Sequence, residues 1–191
     1  APHPARAPQH LTRVIRVDHL ERRVGATVDV DFVLDREHTA VVVAAGDLIG
    51  ASPLSSSLFL DEPSIMAMNM VGLEFEAVGN HEFDRGTEEL LRMQAGGCEK
   101  HTQTEPCRID KPFAGAKFRM LAANTMKSGG GTLFPPYALK RFGRGKAQVT
   151  IGFIGMTLEG TANLVSAGRI KGISFADEAD TANALVPQLK A

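Results

Sequence analysis

The strongest constraint on this chain is the run Ala40 to Ala45, six apolar residues dominated by valine that stop abruptly at Gly46-Asp47. An unbroken apolar run of strand length predicts a central β-strand covered on both faces. A second short strand is predicted over Glu74 to Val78, and it ends in Gly79-Asn80-His81-Glu82-Phe83-Asp84. Between them, Leu48 to Leu60 is rich in Ser and Gly and reads as loop with some helix. Asp61-Glu62-Pro63 supplies acidic residues and a proline for a helix start, with Ile65 to Val71 as the body and Gly72 as the C′ stop. A further helix fits Thr87 to Gln94, because Glu88 and Glu89 favour its N-terminus and Gly96-Gly97 ends it. Strands at Phe118 to Ala123 and Gln148 to Ile154 follow, separated by a loop containing Gly129-Gly130-Gly131 and Pro135-Pro136. The order strand, helix, strand, helix, strand defines an α/β fold. A last helix is predicted within Ala176 to Leu189, where Ala179, Ala182, Leu185, Val186 and Leu189 recur with helical period.

The first 38 residues differ in texture, holding four of the six histidines, six arginines and no lysine. They contain two β-like runs, Leu11 to Val17 and Ala26 to Leu34, the second alternating Val28, Val30 and Phe32 with polar residues. Over the whole chain of 191 residues, 21 Lys and Arg face 22 Asp and Glu, a net charge of −1. Neither sign gathers into a run suited to a phosphate backbone or an anionic membrane, so charge points to neither nucleic acid nor membrane insertion. No apolar stretch approaches the roughly 20 residues of a membrane-spanning helix.

Open α/β sheets place ligands beyond the carboxyl ends of their strands, where Asp47 and the Gly79 to Asp84 run fall. The two Asp47 oxygens suit it to bridge two cations, and the Asn80 side-chain carbonyl is a neutral hard ligand for one of them. His81 is left for acid or electrostatic work, and a carboxylate such as Asp84 beside it would fix its tautomer and favour its protonated form. A lone Gly-Asp after a strand is ordinary turn chemistry; six such residues ending a second strand are not. Other features default to structural roles. Two of Met66, Met68 and Met70 are expected to fill core. Gly129 to Gly131 lacks the following Lys and helix of a phosphate-cradling loop, and Asn124 reads as a turn cap. Cys98 and Cys107 bracket an eight-residue polar loop with His101 and Pro106, compatible with a disulfide or with two free thiols. Zinc would need more ligands than this loop offers.

The text Val41-Val42-Val43-Ala44-Ala45-Gly46-Asp47-Leu48-Ile49-Gly50-Ala51-Ser52-Pro53, with Gly72 and then Gly79 to Gly86, resembles the calcineurin-like metallophosphoesterases. Within them it looks like the bacterial 5′-nucleotidase and 2′,3′-cyclic-nucleotide phosphodiesterase branch. The likeness runs from about Thr39 through Ala122-Ala123-Asn124, Pro135-Pro136-Tyr137 and Ile151-Gly152-Phe153-Ile154-Gly155. It implies a two-sheet sandwich flanked by helices and incomplete in this chain, with two divalent metals (Mn, Zn, Co or Mg). Asp47 would bridge them, Asn80 would bind one, and His81 paired with Asp84 would act on the phosphate and leaving group. The implied reaction is hydrolysis of a nucleotide or other small phosphoester by metal-activated water, with cyclic-nucleotide phosphodiesterase activity as the alternative. The family's exported habitat, periplasmic, cell-surface or secreted, favours the Cys98–Cys107 disulfide.

The departures shape the remaining expectations. The family's opening Asp-x-His strand is not found; Asp18-His19 is adjacent rather than spaced, and the histidines of two later strand ends have no counterpart. His101 stands in a polar loop without Gly-His context. The reading is therefore that residues 39–191 form the N-terminal and central part of a catalytic domain, without the nucleoside-binding C-terminal domain. Residues 1–38 lie outside the resemblance, as an extension or a misread frame. A fragment of this kind is expected to be weakly active or inactive alone, and a non-catalytic remnant is the alternative from outside the enzymes. Oligomeric state is not readable from the chain.

Overall fold

A computed structural model describes residues 40–190. The two β-like runs before residue 38, and Asp18-His19, lie outside the described residues.

A three-stranded parallel sheet organises the first half. β1 (Val42–Ala44) pairs with β2 (Leu73–Ala77), and β2 with β3 (Arg119–Leu121). Parallel neighbours need long crossovers. The first contains α1 (Leu54–Ser57) and α2 (Glu62–Val71); the second contains a 3₁₀ turn (His81–Phe83), α3 (Thr87–Ala95) and the cysteine loop. The strand–helix alternation read from the sequence is present. The middle of the sheet, however, is β2 and not the valine run: among the described residues β1 pairs on one side only, and Val43 is 43% exposed. The physical reason is connectivity, since both crossovers start or end on β2 and set a parallel strand on each side of it.

The remaining strands form two antiparallel pairs, β4 (Thr125–Lys127) with β7 (Ile173–Phe175), and β5 (Tyr137–Phe142) with β6 (Val149–Ile154). The strand predicted at Gln148 to Ile154 thus exists but does not extend the parallel series. Residues 143–148 are hairpin-length, too short for a crossover. α4 (Thr161–Leu164) precedes β7, and α5 (Glu178–Lys190) follows it. No helix among the described residues is long and apolar enough to cross a membrane.

The main core gathers Ile65 of α2, Leu90 and Met93 of α3, and Val78, Phe83, Phe118 and Met120, all buried. Met66 and Met68 pack against it while Met70, at the C-terminal end of α2, is 88% exposed, so two of the three methionines meet the core. Gly72 ends α2 in the left-handed conformation at φ 83°. The acidic residues at the α2 start are diverted from capping. The Asp61 side chain makes no cap bond, and Glu62 enters a buried network with Arg92 and Glu89.

In that network the Arg92 guanidinium donates to Glu89 Oε2 at 3.0 Å and Oε1 at 2.6 Å, to Glu62 Oε1 at 2.8 Å and to the Gly97 carbonyl at 2.9 Å. The Cys107 N–H also donates to Glu62 Oε1, at 2.9 Å. Cys98 and Cys107 are disulfide-bonded, so one arginine ties α2, α3 and the stapled loop together. All three charged side chains are no more than 2% exposed, and removing the arginine would strand two carboxylates in the interior. Arg92→Met is expected to lose about 3–5 kcal/mol of stability in urea unfolding. Lys100→Met, which breaks the exposed Lys100–Glu105 pair, should change it by under about 1 kcal/mol.

Candidate functional site

The carboxyl ends of β1 and β2 meet through glycine. Gly46 has φ +96°, and a side-chain Cβ there would lie 2.7 Å from the Gly79 backbone nitrogen. A Cβ on Gly79 would overlap Asp47 Oδ1. Only two residues without side chains permit this approach, and it sets Asp47 against the turn that carries Asn80 to Asp84. Asp47 itself is left-handed at φ 58°, a sparsely populated conformation outside glycine. Its Oδ1 accepts the His81 N–H at 3.2 Å.

The structure therefore brings together all four residues singled out at the strand ends. His81 Nδ1 and Asp84 Oδ2 are 2.8 Å apart, each side chain a little over one third exposed. The hydrogen bond to Asp84 raises the imidazole pKa above its ordinary value, against the opposing effect of partial burial. Asp47 is exposed and Asn80 half-buried. Asn124 stays apart in a structural role. Its amide donates to the Thr157 carbonyl at 2.6 Å and the Ala176 carbonyl at 2.8 Å, and its oxygen accepts the Thr157 N–H at 2.8 Å. His101 is likewise elsewhere, in the stapled loop.

Three acidic residues around the crevice were not foreseen. Glu82, 2% exposed, accepts backbone N–H groups from both strand-end loops. Asp61, fully buried, accepts the Gly50 N–H at 3.0 Å, the Ser52 hydroxyl and the Arg85 guanidinium, so it pins the loop after Asp47 to the residue after Asp84. Glu76, in the middle of β2, is fully buried with neither carboxyl oxygen hydrogen-bonded. Burial pushes its pKa well above the ordinary carboxylate value, and the charges of Glu82 and Asp47 push the same way. The available signal was the acidic residue inside a strand that also carries Leu73 and Phe75, but sequence does not say which face of a strand is covered.

As donors, Asp47 and Asn80 suit hard divalent cations in kind, and they are fewer than two cations need. Among the described residues, the one group of three carboxylates close enough to share an ion is Glu159, Asp177 and Glu178, which involves none of the residues in the crevice.

No protein-family model matches the chain. A protein of Acinetobacter calcoaceticus described as uncharacterized, in the pqq-V 5′ region, is 61% identical over 104 residues, 53% of this chain and 51% of that one. Endonuclease YhcR of Bacillus subtilis is 37% identical over 152 residues, 79% of this chain and 12% of that one. Protein UshA of Escherichia coli is 32% identical over 155 residues, 81% of this chain and 24% of that one. The chain thus spans about half, or less, of the length of these relatives. Among solved structures, calcineurin-like phosphoesterase YfkN of Bacillus subtilis superposes with TM-score 0.57 at 23% identity, over 78% of this chain and 44% of that one. The 5′-nucleotidase precursor of Thermus thermophilus does so with TM-score 0.58 at 23% identity, over 78% and 25%. The fold is that of a calcineurin-like phosphoesterase. Relatives that match about four fifths of this chain include proteins named UshA and 5′-nucleotidase.

The Glu76 carboxyl carries a pH signature. Its folded-state pKa is raised, so the folded chain keeps a proton that the unfolded chain releases above about pH 4.3. This contribution to stability is complete below that value and is lost as pH rises toward the folded pKa, with a slope of up to about 1.4 kcal/mol per pH unit. Glu76→Met is expected to flatten the decline of melting temperature between pH 4 and 8 and to raise stability at pH 8 by about 1–3 kcal/mol. Parallel melting curves for the two proteins across that range would contradict the assignment.

Proposed function

We propose that the chain is the N-terminal and central part, residues 39–191, of a metal-dependent phosphoesterase domain that hydrolyses nucleotide phosphoesters. The observation that carries this reading is the His81–Asp84 pair, 2.8 Å apart, beside the Asp47 carboxylate at the ends of two parallel strands. In this reading Asp47 and Asn80 hold divalent cations. Such cations supply an activated water and a clamp for phosphate oxygens.

The chain's own contribution is proton management and placement. With Nδ1 engaged by Asp84, His81 has Nε2 left to deliver a proton to the leaving oxygen. The Asp84 hydrogen bond favours the imidazolium that performs this step. Relatives named 5′-nucleotidase support a nucleotide substrate, and the disulfide supports a periplasmic, cell-surface or secreted setting.

The test uses the purified chain with Mn²⁺ and a nucleoside 5′-monophosphate, and a 2′,3′-cyclic nucleotide in parallel. Mn²⁺ is expected to raise the melting temperature and to support slow phosphate release. Asp47→Ala should lose both effects, whereas His81→Ala should keep the stabilisation and lose at least about a hundredfold in turnover, as removal of a general acid does. A chain that shows neither metal-dependent stabilisation nor turnover is a non-catalytic remnant, and the proposal fails.

A further inference from the structure

We propose that Glu82 is a positioning residue, a buried carboxylate that sets the separation of the two strand-end loops and with it the placement of Asp47 relative to Asn80. The inference rests on the metal-binding reading above and concerns how the ligands are held, not what they bind. Glu82 Oε2 accepts the Gly79 N–H at 2.7 Å and the Asp47 N–H at 3.0 Å, and Oε1 accepts the Leu48 N–H at 2.8 Å. Asp47 and Leu48 belong to the loop after β1, and Gly79 to the loop after β2. One side chain therefore holds a backbone donor three residues before it together with two donors 34 and 35 residues before it. Bonds from N–H groups to an ionised acceptor are shorter and stronger than neutral ones, and here the Leu48 bond is buried while the Asp47 and Gly79 bonds are part-buried.

Glu82 is itself fixed. It sits in the 3₁₀ turn His81–Phe83, whose last residue, Phe83, is fully buried and meets the Phe175 ring edge-on at 5.4 Å between centroids. The same turn thus presents His81 to the crevice and sinks Glu82 beneath it. Both carboxyl oxygens are engaged by backbone donors, so Glu82 acts on the ligands through the chain that carries them. A glutamine of the same shape would turn an NH₂ toward at least one of these N–H groups. An aspartate, shorter by one methylene, would not reach both loops.

The experiment compares the ¹⁵N-labelled chain with Glu82→Gln, Glu82→Asp and Glu89→Gln, the last a buried carboxylate hydrogen-bonded to Arg92. Amide exchange at Asp47, Leu48 and Gly79 is expected to accelerate at least about tenfold in both Glu82 variants and to stay unchanged in Glu89→Gln. Mn²⁺ affinity, read from the free-ion paramagnetic resonance signal, should fall about 10–100-fold in the Glu82 variants, the range for residues that orient ligands. If Glu82→Gln does not fold, Glu82→Asp is read in the same way. Protected amides in the Glu82 variants overturn the clamp, and loss of Mn²⁺ affinity no greater than in Glu89→Gln overturns the positioning role. An unaltered chain that binds no Mn²⁺ overturns the metal reading, while the amide signals still decide whether Glu82 joins the loops.

Discussion

The close approach of Gly46 and Gly79 is the constraint on which the crevice depends. Two parallel strands end side by side, and the chain leaves each through a residue without a side chain, so that a carboxylate from one loop meets the backbone of the other. A methyl group at either position would separate the loops, with Asp47 on one side and Asn80 to Asp84 on the other. The sheet supplies the platform, α2 and α3 cover it, and the Arg92 network locks those helices to the stapled cysteine loop. The chemistry then sits on short loops held by rigid elements, as placement within a fraction of an ångström demands.

The buried acids divide by whether the backbone answers them. Asp61, Glu62 and Glu82 each accept backbone N–H groups or an arginine, and each joins segments distant in sequence. Glu76 joins nothing and carries two orphaned oxygens beneath the crevice. The difference matters because an unpartnered buried group costs about 1–3 kcal/mol, whereas a satisfied one helps specify a single arrangement. Asp61 and Glu82 organise the region around the crevice, Glu62 joins α2 to α3 and the stapled loop through one of its oxygens, and Glu76 opposes the fold.

The sequence was most informative where local chemistry decides structure. α2 and α3 lie where proline, acidic residues and terminal glycines place them, and the six residues from Gly79 stand beside Asp47 as strand-end reasoning implies. It was least informative where distant partners decide. The valine run is a strand but not the middle one, because order within a sheet depends on the crossovers and not on apolarity. β5 was invisible: Tyr137-Ala138-Leu139-Lys140-Arg141-Phe142 lacks clean alternation, and its identity comes from pairing with β6. Asp61 looked like a helix cap and is a loop anchor, and Glu82 looked like one more polar residue of a motif. Both roles rest on backbone donors more than ten residues away, which no local pattern encodes.

Like charge is concentrated at the crevice. Asp47, Glu82 and Asp84 gather at the ends of two strands above Glu76, and the positive groups nearest in the chain, Arg85 and His81, are taken up by Asp61 and Asp84 respectively. Burial and the neighbouring charges already push the Glu76 and Glu82 carboxyls upward, which means that ionising this cluster works against folding. A divalent cation beside Asp47 would reverse that balance, since its field favours ionised carboxylates and its binding stabilises the folded chain by mass action. The glycine approach and the Glu82 bonds hold the loop that carries Asp47 against the turn that carries Asn80.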